Sequence, residues 1–326
     1  MSRTSDSDQI AGAPSSPVRL VLPATSANLG SGFDAAGLAM ALTLTIAAEA
    51  SRASGPELTI EATGRNADRC ARTANNMIFE AYRDVLARAG RPLTPLHLRI
   101  HNEIPLGMGC GSSAAALLGG VMLANHFGSL GWDLGACIDE ASRREGHPDN
   151  VAACALGYMT VSAVAGGSVT AATCGQEVGW KLLLALPPAS LSTERARALL
   201  PTAYARADAV GNVQRAALLV AAFALDRGDL LRVAMQDRLH QPYRMEACPL
   251  LERLLPLAGT PGVLGVALSG AGPGMLLVVE ADADTAGIAG RIRSAAGEPE
   301  LEIIATSIAA GAIQSQSVRE KVQWQQ

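Results

Sequence analysis

Gly107, Gly109 and Gly111 alternate along the chain, and Ser112 and Ser113 follow at once, ahead of an Ala- and Leu-rich run over residues 114–125. These residue types suit one chemistry. Glycine lets the main chain approach a ligand closely and turn its N–H groups toward it. A helix opening at Ser112 adds unpaired donors and the positive end of its dipole, so phosphate is the natural occupant. A first-turn hydroxyl also reaches a metal ion that bridges phosphates. The competing reading is a Gly-rich turn with Ser112 as a plain helix cap.

Three more segments gather polar groups. Residues 23–37, PATSANLGSGFDAAG, set Thr25, Ser26, Asn28 and Asp34 among glycines. They form either a turn or a substrate loop carried by a rigid strand. In EGHPDNVAACALGY, which starts at Glu145, the residues His147, Asp149 and Asn150 surround a proline. Capping the helix that follows accounts for one of them, not for three polar groups on one short turn. Just upstream, Asp139 and Glu140 fall on a predicted helix. They are either solvated surface charges or, where one faces the glycine loop, a partner of Ser112 or Ser113 around Mg²⁺. The last segment, GVLGVALSGAGPGMLLVVE, holds a Gly-rich turn between two strands. It is either a tight hairpin or a second backbone surface closing over phosphates or substrate.

Such groups need a scaffold. Strands are expected over 18–22, 38–48 and 57–62, and over 96–100, where Leu96, Leu98 and Ile100 share a face. Helices are expected over 76–89, ended by Gly90, over 112–126 and over 133–144. Paired strands flank Gly166 and Gly167. The pattern restarts around KLLLALP and Pro187-Pro188, with a helix from Thr193, a long helix over 213–225, the strands VLGVALS and GMLLVVE, a helix and a closing strand. Strand and helix do not alternate regularly, which favours α+β over a doubly wound sheet.

Composition narrows the function classes. The 326 residues are 49% hydrophobic and 17% charged, enough for a core and too weakly charged for a disordered chain. A net charge of −4 and 3% aromatic residues argue against nucleic acid as a partner. The six cysteines lie far apart, without metal-ligand spacing, and read as small hydrophobes in a reducing compartment. The N-terminal residues carry no secretory signal pattern, and no apolar run reaches the ~18 residues of a membrane span. A cytoplasmic protein that binds no membrane is expected. Neither G-x-G-x-x-G nor G-x-x-x-x-G-K-[ST] occurs.

Together these segments resemble the GHMP kinase superfamily. Its glycine motif P-x-x-x-G-x-G-S-S-A-A reads here Pro105, Leu106, Gly107, Met108, Gly109, Cys110, Gly111, Ser112, Ser113, Ala114, Ala115. PATSANLGSGFD, EGHPDNVA, STERARALLP and DRLHQPYR resemble the homoserine kinase family within it, in order over residues 18–274. Met108 and Cys110 depart from the commoner loop residues, and Gly274 stands where Thr or Ser is frequent. The resemblance implies a two-domain α+β fold. An N-terminal ATP-loop domain would span 18–177, and a C-terminal, ferredoxin-like antiparallel-sheet domain 178–313, with flexible tails over 1–17 and 314–326. It also implies ATP-dependent phosphorylation of the L-homoserine hydroxyl to O-phospho-L-homoserine, on the route to threonine, with ATP as co-substrate, Mg²⁺, and a homodimer as in many relatives.

By the same resemblance, residues 105–115 would cradle the ATP phosphates and Asn76 would border the adenine. Ser112 or Ser113 would hold Mg²⁺ with an acid that is usually Glu in the family; the register here falls on Asp139, with Glu140 beside it. Asp34 suits the substrate ammonium, and Arg197 and Arg244 suit its carboxylate, which a guanidinium binds through two parallel hydrogen bonds. Arg238 is the alternative to Arg244. Asn28, His147, Asn150 and Thr193 match family positions around the amino acid and its hydroxyl. Taken as residues alone, each arginine is a surface charge on a helix. Phosphoryl transfer asks mainly for alignment and charge compensation, so no dedicated base is expected, and Asn28 or Thr193 would orient the hydroxyl. Two alternatives stand beside this reading: a GHMP kinase for another small hydroxylated metabolite, and a non-catalytic metabolite sensor.

Overall fold

A computed structural model describes residues 16–51 and 54–316. The first half runs β1 (Val18–Asn28), β2 (Gly32–Ala50), β3 (Leu58–Gly64), α1 (Ala67–Cys70), α2 (Met77–Arg88) and β4 (Leu96–Asn102). Then come α3 (Ser112–Gly128), α4 (Leu134–Glu145), α5 (Asp149–Leu156), β5 (Met159–Ala165) and β6 (Ser168–Cys174). The second half begins with β7 (Lys181–Leu186), α6 (Thr193–Ala198), α7 (Arg206–Ala224), and three short helices: α8 (Leu231–Ala234), α9 (Gln241–Arg244) and α10 (Pro249–Leu254). It closes with β8 (Val263–Leu268), β9 (Met275–Val279), α11 (Thr285–Ala296), β10 (Glu302–Ser307) and β11 (Ile313–Gln316).

Two sheets result, as the α+β expectation requires. The first has seven strands in the order β11-β1-β2-β4-β3, with β5 paired to the other half of β2 and β6 outside it. The second has four antiparallel strands in the order β10-β7-β9-β8. That order and its two crossovers are those of a ferredoxin-like βαββαβ unit. Helix α3 is apolar on nearly every side, with Leu118, Val121, Leu123 and Phe127 buried, because it lies between the first sheet and other helices. Strand β7 shows how the two sheets share a core. Leu182 and Leu184 face the large cluster of the first sheet, while Leu183 and Ala185 face a second cluster made with Leu250, Leu251, Ile288 and Ile292.

The structure differs from the sequence expectations at three places. Residues 23–37 are strand rather than loop, with Thr25 and Ser26 buried in a ladder to Leu38 and Ala39. The turn itself is only Leu29, Gly30 and Ser31, and irregularities at Pro23/Ala24 and Ala27/Asn28 re-aim the strand. Helix α7 starts at Arg206, not near 213, because its first turns are solvated and carry no apolar period. Gln314 and its two successors, expected in a flexible tail, pair with β1 through Val18↔Gln316 and Leu20↔Gln314. The other tail residues, 1–15 and 317–326, lie outside the described residues. No helix among the described residues is long and apolar enough to cross a membrane.

Candidate active site

The glycine run opens α3, and its conformation explains its composition. Gly107, Gly109 and Gly111 have φ of 75°, 75° and 68°, the left-handed region that side chains resist. Two of them are also pressed by neighbours. A Cβ on Gly109 would sit 1.9 Å from the Ser269 carbonyl oxygen, and one on Gly111 would sit 1.9 Å from Thr25 Oγ1. The loop is tied at both points: Ser269 Oγ donates to Gly109 O at 2.8 Å, and Thr25 N donates to Cys110 O at 3.1 Å. Gly111 caps α3 without a side-chain hydrogen bond, and the first turn holds no acid of its own, so the helix end presents its N–H groups to the cleft.

The cleft has a volume of about 530 Å³ and is bordered by Gly107, Gly109, Gly111, Ser112 and Ser113. Pro105, Met108, Ala114 and Ala115 do not border it. Ala114 and Ala115 are fully buried beneath the loop, where their small size lets the helix approach the sheet. Cys110 borders the cleft only through atoms of a buried residue, and burial pushes its thiol up to about 12. Beyond the loop the lining is apolar, with Leu44, Ile78, Ile100 and Ile104, and is edged by Arg69, Arg72 and Asn76. Asn76 caps α2 by accepting from Phe79 N at 3.2 Å. Such a lining suits a heterocycle, and of these residues the sequence had pointed to Asn76 alone.

The expected metal acids lie elsewhere. Asp139 Oδ1 accepts from Val169 N at 2.7 Å, fastening the β5–β6 hairpin to α4. Glu140 pairs with Arg88, Arg143 and Arg144 at 2.6, 2.9 and 2.7 Å. Burial would raise its pKa, but the hydrogen bonds from Arg144 and Arg143 outweigh this and hold it low. Neither residue borders the cleft. Glu145 does, at the last position of α4, and its carboxylate accepts a hydrogen bond from Ser113 Oγ. At roughly 100° per residue, positions 139 and 140 face well away from 145. A carboxylate and a hydroxyl at the phosphate end of the cleft are hard oxygen donors of the kind Mg²⁺ takes.

The other end of the cleft collects charge. Arg197 donates NH2 to Asp34 Oδ1 at 2.7 Å and NH1 to Asp34 Oδ2 at 3.0 Å. Asp34 sits at φ 54°, held there because Asn28 Oδ1 accepts its N–H at 3.0 Å while Asn28 Nδ2 donates to Gly270 O at 2.9 Å. The Asn28 amide thus braces the site from a buried position. Arg244, expected as a possible surface charge, is 1% exposed. Its Nε donates to Ala196 O at 3.2 Å and its NH1 to His240 Nδ1 at 2.9 Å, and it forms no ion pair among the described residues. Burial and the nearby Arg197 depress its pKa. Both arginines lie over the Phe33 ring, each guanidinium carbon 5.7 Å from its centre.

His147 and Asn150 complete this end. His147 Nδ1 lies 2.6 Å from Asp149 Oδ1, and Asn150 Oδ1 accepts from Thr25 Oγ1 at 2.7 Å. Burial works against a charged His147, but the Asp149 hydrogen bond and charge outweigh it and raise its pKa. Asp34, His147 and Asp149 bring ligand atoms within 4.8 Å of one another, yet the Arg197 guanidinium already occupies both oxygens of Asp34 and would repel a metal there. Thr193 borders the cleft as the exposed first residue of α6, which Ser192 caps. Arg238, the alternative to Arg244, does not border the cleft. Phe33 and Glu145 lie inside segments that carried the resemblance, but no role was expected of either.

The chain is similar to known proteins in sequence and in fold. The family model "GHMP kinases N terminal domain" matches residues 76–158, and "GHMP kinases C terminal" matches residues 219–296. The homoserine kinase of Solibacter usitatus is 47% identical over 262 residues, 80% of this chain and 84% of that protein. That of Trichormus variabilis is 34% identical over 305 residues, 90% of this chain and 96% of that protein. The crystal structure of homoserine kinase from Cytophaga hutchinsonii superimposes with a TM-score of 0.78 at 21% identity, covering 97% of this chain and 100% of that one. L. major mevalonate kinase in complex with R-mevalonate gives 0.65 at 14% identity, over 89% of this chain and 96% of that one. These two likenesses speak for the fold alone.

Proposed function

The chain belongs to the homoserine kinase family of the GHMP kinases, and we propose from that premise that it transfers the γ-phosphoryl group of ATP to the side-chain hydroxyl of L-homoserine. The products are ADP and O-phospho-L-homoserine, on the route to threonine. One observation carries the choice of substrate. A carboxylate, Asp34, and two guanidiniums, Arg197 and the buried Arg244, which has no ion pair among the described residues, meet beside Phe33 in the cleft. A zwitterionic amino acid fits such a set, its ammonium toward Asp34 and its carboxylate across the arginines. Mevalonate has no ammonium for Asp34, and a sugar offers neither charge.

The chain's own groups account for the transfer. The amides at the start of α3 and the left-handed glycines receive the phosphates and compensate charge that builds on the transferred oxygens. Ser113 and Glu145 would hold Mg²⁺, which supplies further compensation of phosphate charge when bound. Asn28 and Gly270 hold Asp34 in place, which fixes the amino acid and so the direction of its hydroxyl. Both Asp34 oxygens are engaged by Arg197, so Asp34 is a poor candidate for a base. Of the two residues expected to orient the hydroxyl, the Asn28 amide is engaged with Gly270 O and Asp34 N, which leaves Thr193 on the cleft wall for that role. Catalysis is then by alignment and electrostatics. Free thiols at all six cysteines agree with a cytoplasmic enzyme.

The deciding experiment is ADP release with MgATP and L-homoserine, set against L-threonine, L-serine and mevalonate. Turnover with homoserine above the other three is expected. Silence with homoserine while ATP still binds by calorimetry would overturn the assignment and favour a sensor.

A further inference from the structure

One buried group in the second domain has no part in the chemistry above. His240, the residue before α9, is fully buried, yet both ring nitrogens are engaged by neighbours of the amino-acid end of the cleft. Nδ1 lies 2.9 Å from Arg244 NH1, and Nε2 lies 2.9 Å from Gly30 O. A guanidinium can only donate, so Nδ1 is the acceptor, and the single ring proton sits on Nε2 and is donated to Gly30 O. The tautomer is fixed by its partners. The ring also stacks on Phe33, with centroids 5.2 Å apart and planes 22° from parallel, and Phe33 is the surface both arginines face. Asp237 sits behind it, Oδ2 at 3.6 Å from Nε2, but accepts from the backbone N–H groups of Leu239, His240 and Gln241. Burial and the Arg244 charge pull the His240 pKa to about 4, so the ring stays neutral wherever the enzyme works.

We propose that His240 is a positioning residue for the substrate carboxylate: its unprotonated Nδ1 and its stack on Phe33 hold the Arg244 guanidinium in the one orientation that leaves an edge open to the cleft. This rests on the amino-acid reading of the site given above. The geometry supports it in a way plain core packing does not. Among the described residues Arg244 is buried without a carboxylate partner, and its side-chain contacts are neutral acceptors: Ala196 O, His240 Nδ1 and, at 3.5 Å, Gly270 O. Neutral acceptors leave its full charge for a ligand, whereas a carboxylate in the place of His240 would cancel it. A histidine in this tautomer satisfies Arg244 on one side and Gly30 on the other, so the turn between β1 and β2 is locked to the same arginine.

The test separates the two ring nitrogens and the two ends of the substrate. His240→Asn sets its amide where Nδ1 lies, within reach of Arg244; His240→Gln sets its amide at the ε position, toward Gly30 O; His240→Ala keeps neither. With L-homoserine, His240→Ala and His240→Gln are expected to raise KM about tenfold or more, the effect of a lost hydrogen bond to a charged group. The kcat and the KM for ATP are expected to stay within about threefold, and His240→Asn to recover most of the loss. The second arm uses 3-aminopropan-1-ol, which is homoserine without its carboxylate. The fall in kcat/KM for His240→Ala should be at least about fivefold smaller on that alcohol than on homoserine. An equal fall on both substrates, or equal losses in the Asn and Gln variants, would show a structural role only and overturn the proposal. Wild-type protein silent with homoserine would instead overturn the functional reading, so the two failures are distinct. Should the alanine variant fail to fold, the Asn–Gln comparison carries the test.

Discussion

At the scale of single residues, the site separates groups that hold the amino acid from groups that serve the phosphates, and each division predicts a kinetic signature. Asp34 is bound by both nitrogens of Arg197 and faces the proposed ammonium. Asp34→Asn should therefore raise the homoserine KM about tenfold or more while kcat changes little. The reverse pattern, kcat down by the ~10²–10⁴ of a lost general base with KM intact, would make Asp34 the base. Glu145 is the acid that Ser113 reaches. Glu145→Gln should lower kcat about a hundredfold and raise the Mg²⁺ concentration needed for half-maximal rate, whereas Asp139→Asn should leave both within about twofold. A magnesium titration of the two variants decides between them. His147 titrates under the influence of Asp149. Its folded pKa is raised above the ordinary ~6.5 of the unfolded chain, so the pair's contribution to stability is complete below about pH 6.5 and is lost as pH climbs through the folded value. Melting temperatures from pH 5.5 to 8.5 should fall more in wild type than in His147→Gln over that window.

At the scale of elements, the glycine loop is a wedge between the two halves, since Gly109 lies against Ser269 in the turn after β8 and Gly111 against Thr25 of β1. Gly111→Ala puts a methyl group where Thr25 Oγ1 lies, displacing the hydroxyl that binds Asn150. Both a higher KM for ATP and a melting temperature lower by several degrees are expected, while Gly107→Ala, with only Ser190 Cβ at 3.2 Å, should be milder. A thermal melt with ATP kinetics on each variant checks the order. This loop was legible in the sequence because its need for left-handed backbone writes itself as glycine, and β4 was legible because its buried face alternates through Leu96, Leu98 and Ile100. Glu145 was not, because which acid of α4 meets Ser113 depends on the helix's phase and its end, about one and a half turns beyond the acids that the register favoured. Residues 23–37 misled for another reason. Asn28 and Asp34 adopt positive φ within strands, so a strand carries the composition of a loop. Phe33 and His240 gain their meaning from arginines more than 150 positions away or from a fold-dependent ring tautomer, and no local pattern records either.

At the scale of the whole molecule, the two sheets are sewn together across the cleft. Asn28 Nδ2 bonds Gly270 O, Gly270 N bonds Ala27 O, and Arg197 spans to Asp34. The chain also comes home: after building the second sheet it returns through β11 to the strand with which it began, so Val18 stands opposite Gln316. Paired residues in an antiparallel ladder are about 5 Å apart at Cα, a gap that a few linker residues span. The order in which the sequence is read is therefore separable from the shape it makes. A circular permutant that joins Gln316 to Val18 and opens the chain between Gly166 and Gly167, where both glycines have free space, should fold and keep homoserine-dependent ADP release. Loss of both fold and activity would mean that assembly requires the amino-terminal strand to be made first.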